Sequence, residues 1–182
     1  NVLMGEVARG EEELSKERET LGDITFEFSQ DGRRVVGYNN RDKQALQKRW
    51  KDELRISESK SRRSRAISGL PAGPKSHVTW SPDGRWIAYA GREGTDGSYS
   101  VENLELFLCG ARRGGIRSLS RSEDYCLLAV TIADAGEADF APWFAFTPDS
   151  SRLMMRVGHH GSMQLASVPV GGGPWTFHTG GE

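Results

Sequence analysis

The sequence predicts an all-β fold in which one four-stranded antiparallel sheet is copied along the chain. Three observations predict it. The stretches Phe28-Ser29-Gln30-Asp31-Gly32, Trp80-Ser81-Pro82-Asp83-Gly84 and Phe146-Thr147-Pro148-Asp149-Ser150 answer one another. Around each Asp the apolar residues alternate as in a hairpin with one buried face. Phe26 and Phe28, Val78 and Trp80, or Phe144 and Phe146 precede it, and Val35, Ile87 or Leu153 follows it. The first two Asp residues stand 52 positions apart, and the same offset pairs Leu54 with Leu106, Ile56 with Leu108, Arg65 with Arg117, Ile67 with Leu119 and Ser68 with Ser120.

The turn residues carry the hairpin. A hydroxyl side chain stands two residues before each Asp: Ser29, Ser81 and Thr147. Pro82 and Pro148, with φ fixed at about −65°, suit the second position of a type I turn. Gly32 and Gly84 accept positive φ at no steric cost. Ser150 takes that place in the third copy, so its turn is expected to be strained or of another type. Asp31, Asp83 and Asp149 are read as bonding their own turn backbone. A single carboxylate per turn falls short of the oxygen cage that calcium needs.

Two further strands follow each hairpin, near Glu53–Glu58 and Ser64–Ser68, then Leu104–Cys109 and Ile116–Ser120. The third copy has a shorter middle loop, with Gln164–Val170 and Trp175–Thr179 as its last two strands. Four strands in roughly 40–50 residues is the period of a propeller blade. Blades are therefore expected over residues 23–70, 71–121 and 142–182. Residues 1–22 read as the last two strands of a preceding blade, since Val2 and Met4 answer Leu54 and Ile56; a helix over Glu11–Glu19 is the alternative. The fold expected is a β-propeller fragment of three blades plus an N-terminal half-blade. Two segments break the repeat. Asn39–Lys51 is read as a solvated loop anchored by Trp50, with a helical turn as the alternative. Residues 122–141 form an inserted linker whose β-prone run Cys126–Ile132 adds a strand or covers a blade edge. Such an insert is a candidate for binding.

The phrases Trp80-Ser-Pro-Asp-Gly-Arg-Trp-Ile-Ala-Tyr89 and Phe146-Thr-Pro-Asp-Ser-Ser-Arg-Leu-Met-Met155 resemble the repeat of TolB-type (WD-like) β-propellers. They are similar also to blades in the non-catalytic propeller of prolyl-oligopeptidase-family enzymes. The resemblance covers Ile24 to Thr179. It implies a repeat protein that binds protein or small ligands at a propeller rim, in a periplasmic or other extracytoplasmic setting. Propellers of the family commonly have roughly six or more blades, which implies that this stretch is a fragment of a larger ring.

Composition bounds the function classes. The 182 residues carry 24 Lys+Arg against 25 Asp+Glu, a formal charge of −1, which argues against a general polyanion binder. The longest apolar run, Cys126–Ile132, is far short of the roughly 20 residues of a membrane span. The first residues show neither a basic n-region nor an apolar h-region, so no signal peptide is read from them and the compartment stays open. Cys109 and Cys126 are read as buried thiols, with a disulfide as the alternative.

Chemistry is sought and not found. G-x-S-x-G is absent, and Gly161-Ser162-Met163 after His159-His160 falls in a hairpin loop with no nucleophile elbow. His159, His160 and His178 lack the spacing of a metal site, and His77 is isolated. Gly91-Arg-Glu-Gly94 and Gly171-Gly-Gly173 lack the Lys-Ser/Thr of a phosphate loop. The run Lys60-Ser-Arg-Arg-Ser-Arg65 has a counterpart in Ala111-Arg-Arg-Gly-Gly-Ile-Arg117. Basic residues recurring there are read as edge charges that keep the sheet soluble, with a polyanion site as the weaker alternative. No catalytic, cofactor or metal residue is assigned, no cofactor is implied, and nucleic acid is not favoured as a partner. The expected function is a non-catalytic binding scaffold. The alternative is part of the gating propeller of a prolyl-oligopeptidase-like serine hydrolase whose catalytic domain lies elsewhere. Its neighbours would be the remaining blades of a longer chain, or further copies of itself.

Overall fold

The computed structural model describes residues 25–40, 52–61, 63–94, 103–112, 114–121, 123, 125–127, 142–159 and 162–180. They form three four-stranded antiparallel sheets, and no helix occurs among them. Blade 1 is β1 (Thr25–Phe28), β2 (Arg34–Asn40), β3 (Asp52–Glu58) and β4 (Ser64–Ala66). Blade 2 is β5 (Lys75–Trp80), β6 (Trp86–Gly91), β7 (Glu105–Gly110) and β8 (Gly114–Ser118). Blade 3 is β9 (Phe144–Phe146), β10 (Arg152–His159), β11 (Ser162–Pro169) and β12 (Thr176–Phe177). Each sheet is ordered as it is in sequence. The expected strands lie where the 52-residue offset puts them: Val36 pairs with Ile56 and Ala88 with Leu108. Asn39 and Asn40, expected in the loop, instead end β2 and pair with Glu53 and Asp52. The expected N-terminal half-blade, residues 41–51 with Trp50, and residues 128–141 of the linker lie outside the described residues.

Alternation along the strands of blade 2 gives that sheet two apolar faces. One face of blade 2 carries Val78, Trp80, Ile87, Tyr89, Phe107 and Cys109, packed with Val36, Leu54, Ile56 and Ile67 of blade 1. Its other face carries Ala88, Ala90, Leu106 and Leu108, packed with Phe144, Met155, Val157 and Val168 of blade 3. Sizes are complementary. The aromatic face of blade 2 meets aliphatic side chains, and its two alanines leave room for Phe144 and Met155. Burying both faces in this way is what makes neighbouring sheets stack instead of standing alone.

Polar bonds between blades repeat as well. The Trp80 Nε1–H donates to the Glu27 carbonyl at 3.2 Å, and the Thr79 hydroxyl donates to the Glu27 carboxylate at 3.0 Å. Arg65 donates to the Ala111 carbonyl, and its counterpart Arg117 donates to the Val170 carbonyl. This corrects the reading of those two arginines as edge charges. Each guanidinium reaches the carbonyl just past the third strand of the next blade, so the recurrence in sequence marks a recurring clip. Trp175 bonds back from blade 3 to the Leu119 carbonyl at 3.1 Å.

The linker contributes Cys126, whose N–H and carbonyl exchange bonds with Gly158 on β10 in an isolated bridge. Cys109 and Cys126 are both free thiols; Cys109 is buried and Cys126 is half-buried.

Trp80 is only 4% exposed and spans the first interface. Trp80→Ala is expected to destabilise the chain by about 3–5 kcal/mol, the cost of emptying a buried Trp site. A denaturant midpoint at fixed chain concentration measures it, and a loss under about 1 kcal/mol would contradict this packing.

Candidate functional site

The three hairpin turns use one bonding scheme. In blade 1 the Ser29 hydroxyl donates to the Asp31 carboxylate at 2.6 Å and accepts the Arg34 N–H at 3.0 Å. Ser81 with Asp83 and Trp86 does the same at 2.6 and 2.9 Å. Thr147 with Asp149 and Arg152 follows at 2.6 and 3.0 Å. Each Asp also accepts the N–H two residues on, from Arg33, Arg85 or Ser151. The first and fourth turn residues bond in each copy, with Pro82 and Pro148 in second place.

Gly32 and Gly84 take φ of 65° and 66°, and Ser150 takes 60°. The third turn thus keeps the same type and places a side chain in left-handed backbone, a strain of order 1–3 kcal/mol. The Ser150 hydroxyl accepts the Asp83 N–H at 3.1 Å, which links the turns of blades 2 and 3. Between the turns of blades 1 and 2 lies a cleft of about 300 Å³ lined by Ser29, Gln30, Asp31, Arg34, Pro82, Asp83 and Gly84. Arg34 stacks over the Trp80 ring at 4.7 Å and donates to the Gly84 carbonyl at 3.4 Å. A Cβ on Gly84 would stand 2.7 Å from the Arg34 guanidinium, so the glycine serves close approach as well as φ.

Other polar side chains are engaged structurally. Lys75, 5% exposed, donates to the Pro71 and Gly73 carbonyls, while its N–H donates to Asp52. Burial pushes the Lys75 ammonium down and the Asp52 and Glu27 carboxyls up. Burial likewise pushes the Cys109 thiol up to about 12, which disfavours its thiolate form. The Ser162 hydroxyl donates to the His159 carbonyl rather than to its ring, and that ring packs on Tyr125 and Phe177. His160 and Gly161 lie outside the described residues. His77, at φ 43° beside a bulge, lies 3.1 Å through Nε2 from the Phe144 carbonyl. Gly171 accepts a bond from Arg117. Among the described residues no group of three or more His, Cys, Asp or Glu side chains is placed to hold a metal.

One cluster was missed by sequence reasoning. Ser167 and His178 of blade 3 stand where blade 2 has Leu108 and Leu119. The His178 N–H donates to Leu165 as that of Leu119 does to Leu106. Here Arg152 Nε donates to the Ser167 hydroxyl at 2.9 Å, and that hydroxyl lies 2.8 Å from His178 Nε2. Aligning the third copy with its shorter loop exposes the exchange of two aliphatic residues for two polar ones.

The turn carboxylates set an acid dependence. The Thr147 hydroxyl, then the Ser151 N–H and hydroxyl, hold Asp149 down to about 2, and Ser29 with the Arg33 N–H lowers Asp31. A depressed folded pKa adds stability that is present above the unfolded value of about 3.9. That stability is lost as pH falls through the folded value. Stability should therefore drop between about pH 4 and about pH 2, and Asp149→Asn should flatten that limb of a denaturant-midpoint profile. An unchanged profile in the variant would contradict the turn bonding.

No family model matches the chain, and no curated protein matches it. Solved structures do. TolB from Acinetobacter baumannii matches with a TM-score of 0.56 at 12% identity over 84% of this chain and 31% of that one. Puromycin hydrolase matches with a TM-score of 0.57 at 18% identity, covering 88% and 22%. A structure from a study of two prolyl endopeptidases matches with a TM-score of 0.56 at 12% identity, covering 88% and 23%. The chain spans about a third or less of the length of these structures. At such identities the likeness concerns the fold, and the fold of this chain is that of part of a β-propeller.

Proposed function

We propose that this propeller segment is a non-catalytic scaffold that binds protein or ligand at a rim. The observation that carries the reading is the use of its polar side chains. Turn hydroxyls, turn carboxylates, Arg34, Arg65 and Arg117 all help to hold turns and blades in place. The Ser167 hydroxyl, 2.8 Å from His178 Nε2, is likewise held within its sheet by Arg152 Nε at 2.9 Å. Function then resides in what the rims present.

A second reading is favoured by the likeness to puromycin hydrolase and the prolyl endopeptidase: a propeller that gates a hydrolase domain. The coding sequence adjoining this segment separates the two. Further blades alone support the scaffold; an α/β-hydrolase segment with G-x-S-x-G supports the gate. In either case the isolated chain is expected to be marginally stable or to associate, because a stack of blades cut from a ring leaves sheet faces uncovered. Sedimentation with thermal scans checks this. A monomer of 20.1 kDa that melts cooperatively would contradict it.

A further inference from the structure

The near-zero formal charge conceals a separation between the two rims. The rim with the Asp turns also carries the hairpins that join third and fourth strands: Ser59 N–H donates to Arg33 and Ala111 N–H to Arg85. There Arg33, Lys60, Arg63, Arg85 and Arg112 are exposed, beside the carboxylates of Asp31, Glu58, Asp83 and Asp149, so this rim carries the excess of cations. The opposite rim carries Asp52, Glu53, Glu93, Glu105 and Glu123 against Lys75, Arg92 and Arg121, an excess of carboxylates. Among the described residues Lys60, Arg63 and Arg112 have no ion-pair partner, whereas Arg121 of the other rim is held by Glu93 at 2.6 Å.

The seam between blades 1 and 2 runs across the basic rim. At its inner end is the cleft, where the Arg34 guanidinium lies between the Asp31 and Asp83 turns. At its outer end Arg65 bonds Ala111, with Arg63 and Arg112 adjoining in sequence. Arg34, Asp31 and Asp83 together line the cleft, and a guanidinium in company with carboxylates is complementary to a peptide group, which offers a carbonyl to the cation and an N–H to an anion. A phosphate or sulfate there would face both carboxylates. We propose that this seam docks an extended acidic peptide segment of a partner protein, with its backbone in the cleft and its carboxylates on Lys60, Arg63 and Arg112. The proposal rests on the scaffold reading and names the rim and the chemistry of its partner.

Fluorescence anisotropy with a labelled peptide alternating Glu and Ser, titrated with the full chain, tests it. Binding is expected at about 0.01 M ionic strength and should weaken at least about tenfold by 0.15 M, as screening shortens from about 30 to about 8 Å. Arg63→Glu with Arg112→Glu should weaken it at least about tenfold at low salt, with an unchanged melting curve, since both side chains are exposed. Glu53→Lys on the opposite rim should change it less than about twofold. Three results would overturn the proposal: no peptide binding at the lowest ionic strength, equal effects of the two rims, or tighter binding of heparin or duplex DNA than of the peptide. A hydrolase in the adjoining coding sequence together with peptide binding as described would defeat the scaffold reading and leave the docking seam standing.

Discussion

A four-stranded sheet whose side chains are apolar on both faces has to be covered twice, and the architecture of this chain follows from that requirement. Blade 2 shows it most fully. Ile87 and Ala88 are neighbours in sequence, point to opposite faces, and are both wholly buried, one against blade 1 and the other against blade 3. Each Å² of apolar surface these two interfaces remove from water contributes about 25 cal/mol. Hydrogen bonds contribute less energy and more register. The Trp80, Arg65 and Arg117 donors each reach one carbonyl of an adjacent blade, so they fix how far one sheet slides along another.

The turns serve the same end. Each Ser-x-Asp or Thr-x-Asp unit satisfies its own backbone, which leaves the hairpin rigid before any neighbour arrives. On that rigid frame Arg34 bridges to Trp80 and Gly84, and Ser150 bridges to Asp83. The non-glycine residue at φ 60° in the third turn supplies the hydroxyl that links it to the second. Strain in one turn is thus coupled to a bond between two blades. A rim built this way presents charged hairpin tips from turns that are already set.

Much of the fold was legible because the repeat is long and gapless between its first two copies. Leu54 with Leu106 and Ile67 with Leu119 locate the outer strands, and the turn motif locates the inner ones. What was illegible has physical causes. Arg65 and Arg117 carry charge, and charge near a hairpin reads as solvation until a carbonyl of the next sheet is found beside it. Ser167 and His178 broke an apolar pattern that only the shorter loop of the third copy brings into line. The cleft depends on Arg34 crossing from one blade to the next, a contact between residues 50 positions apart that no local motif announces. Segregation of charge between rims is likewise a property of topology, because the total cancels in the composition.

Amide hydrogen exchange resolved by strand tests the two-sided covering most directly. If stacking carries the stability, the amides of β6 and β7 in the middle blade exchange slowest, at least about tenfold slower than those of β1 and β12. Equal protection of corresponding strands in all three blades would mean that each sheet stands by itself, and would contradict the account.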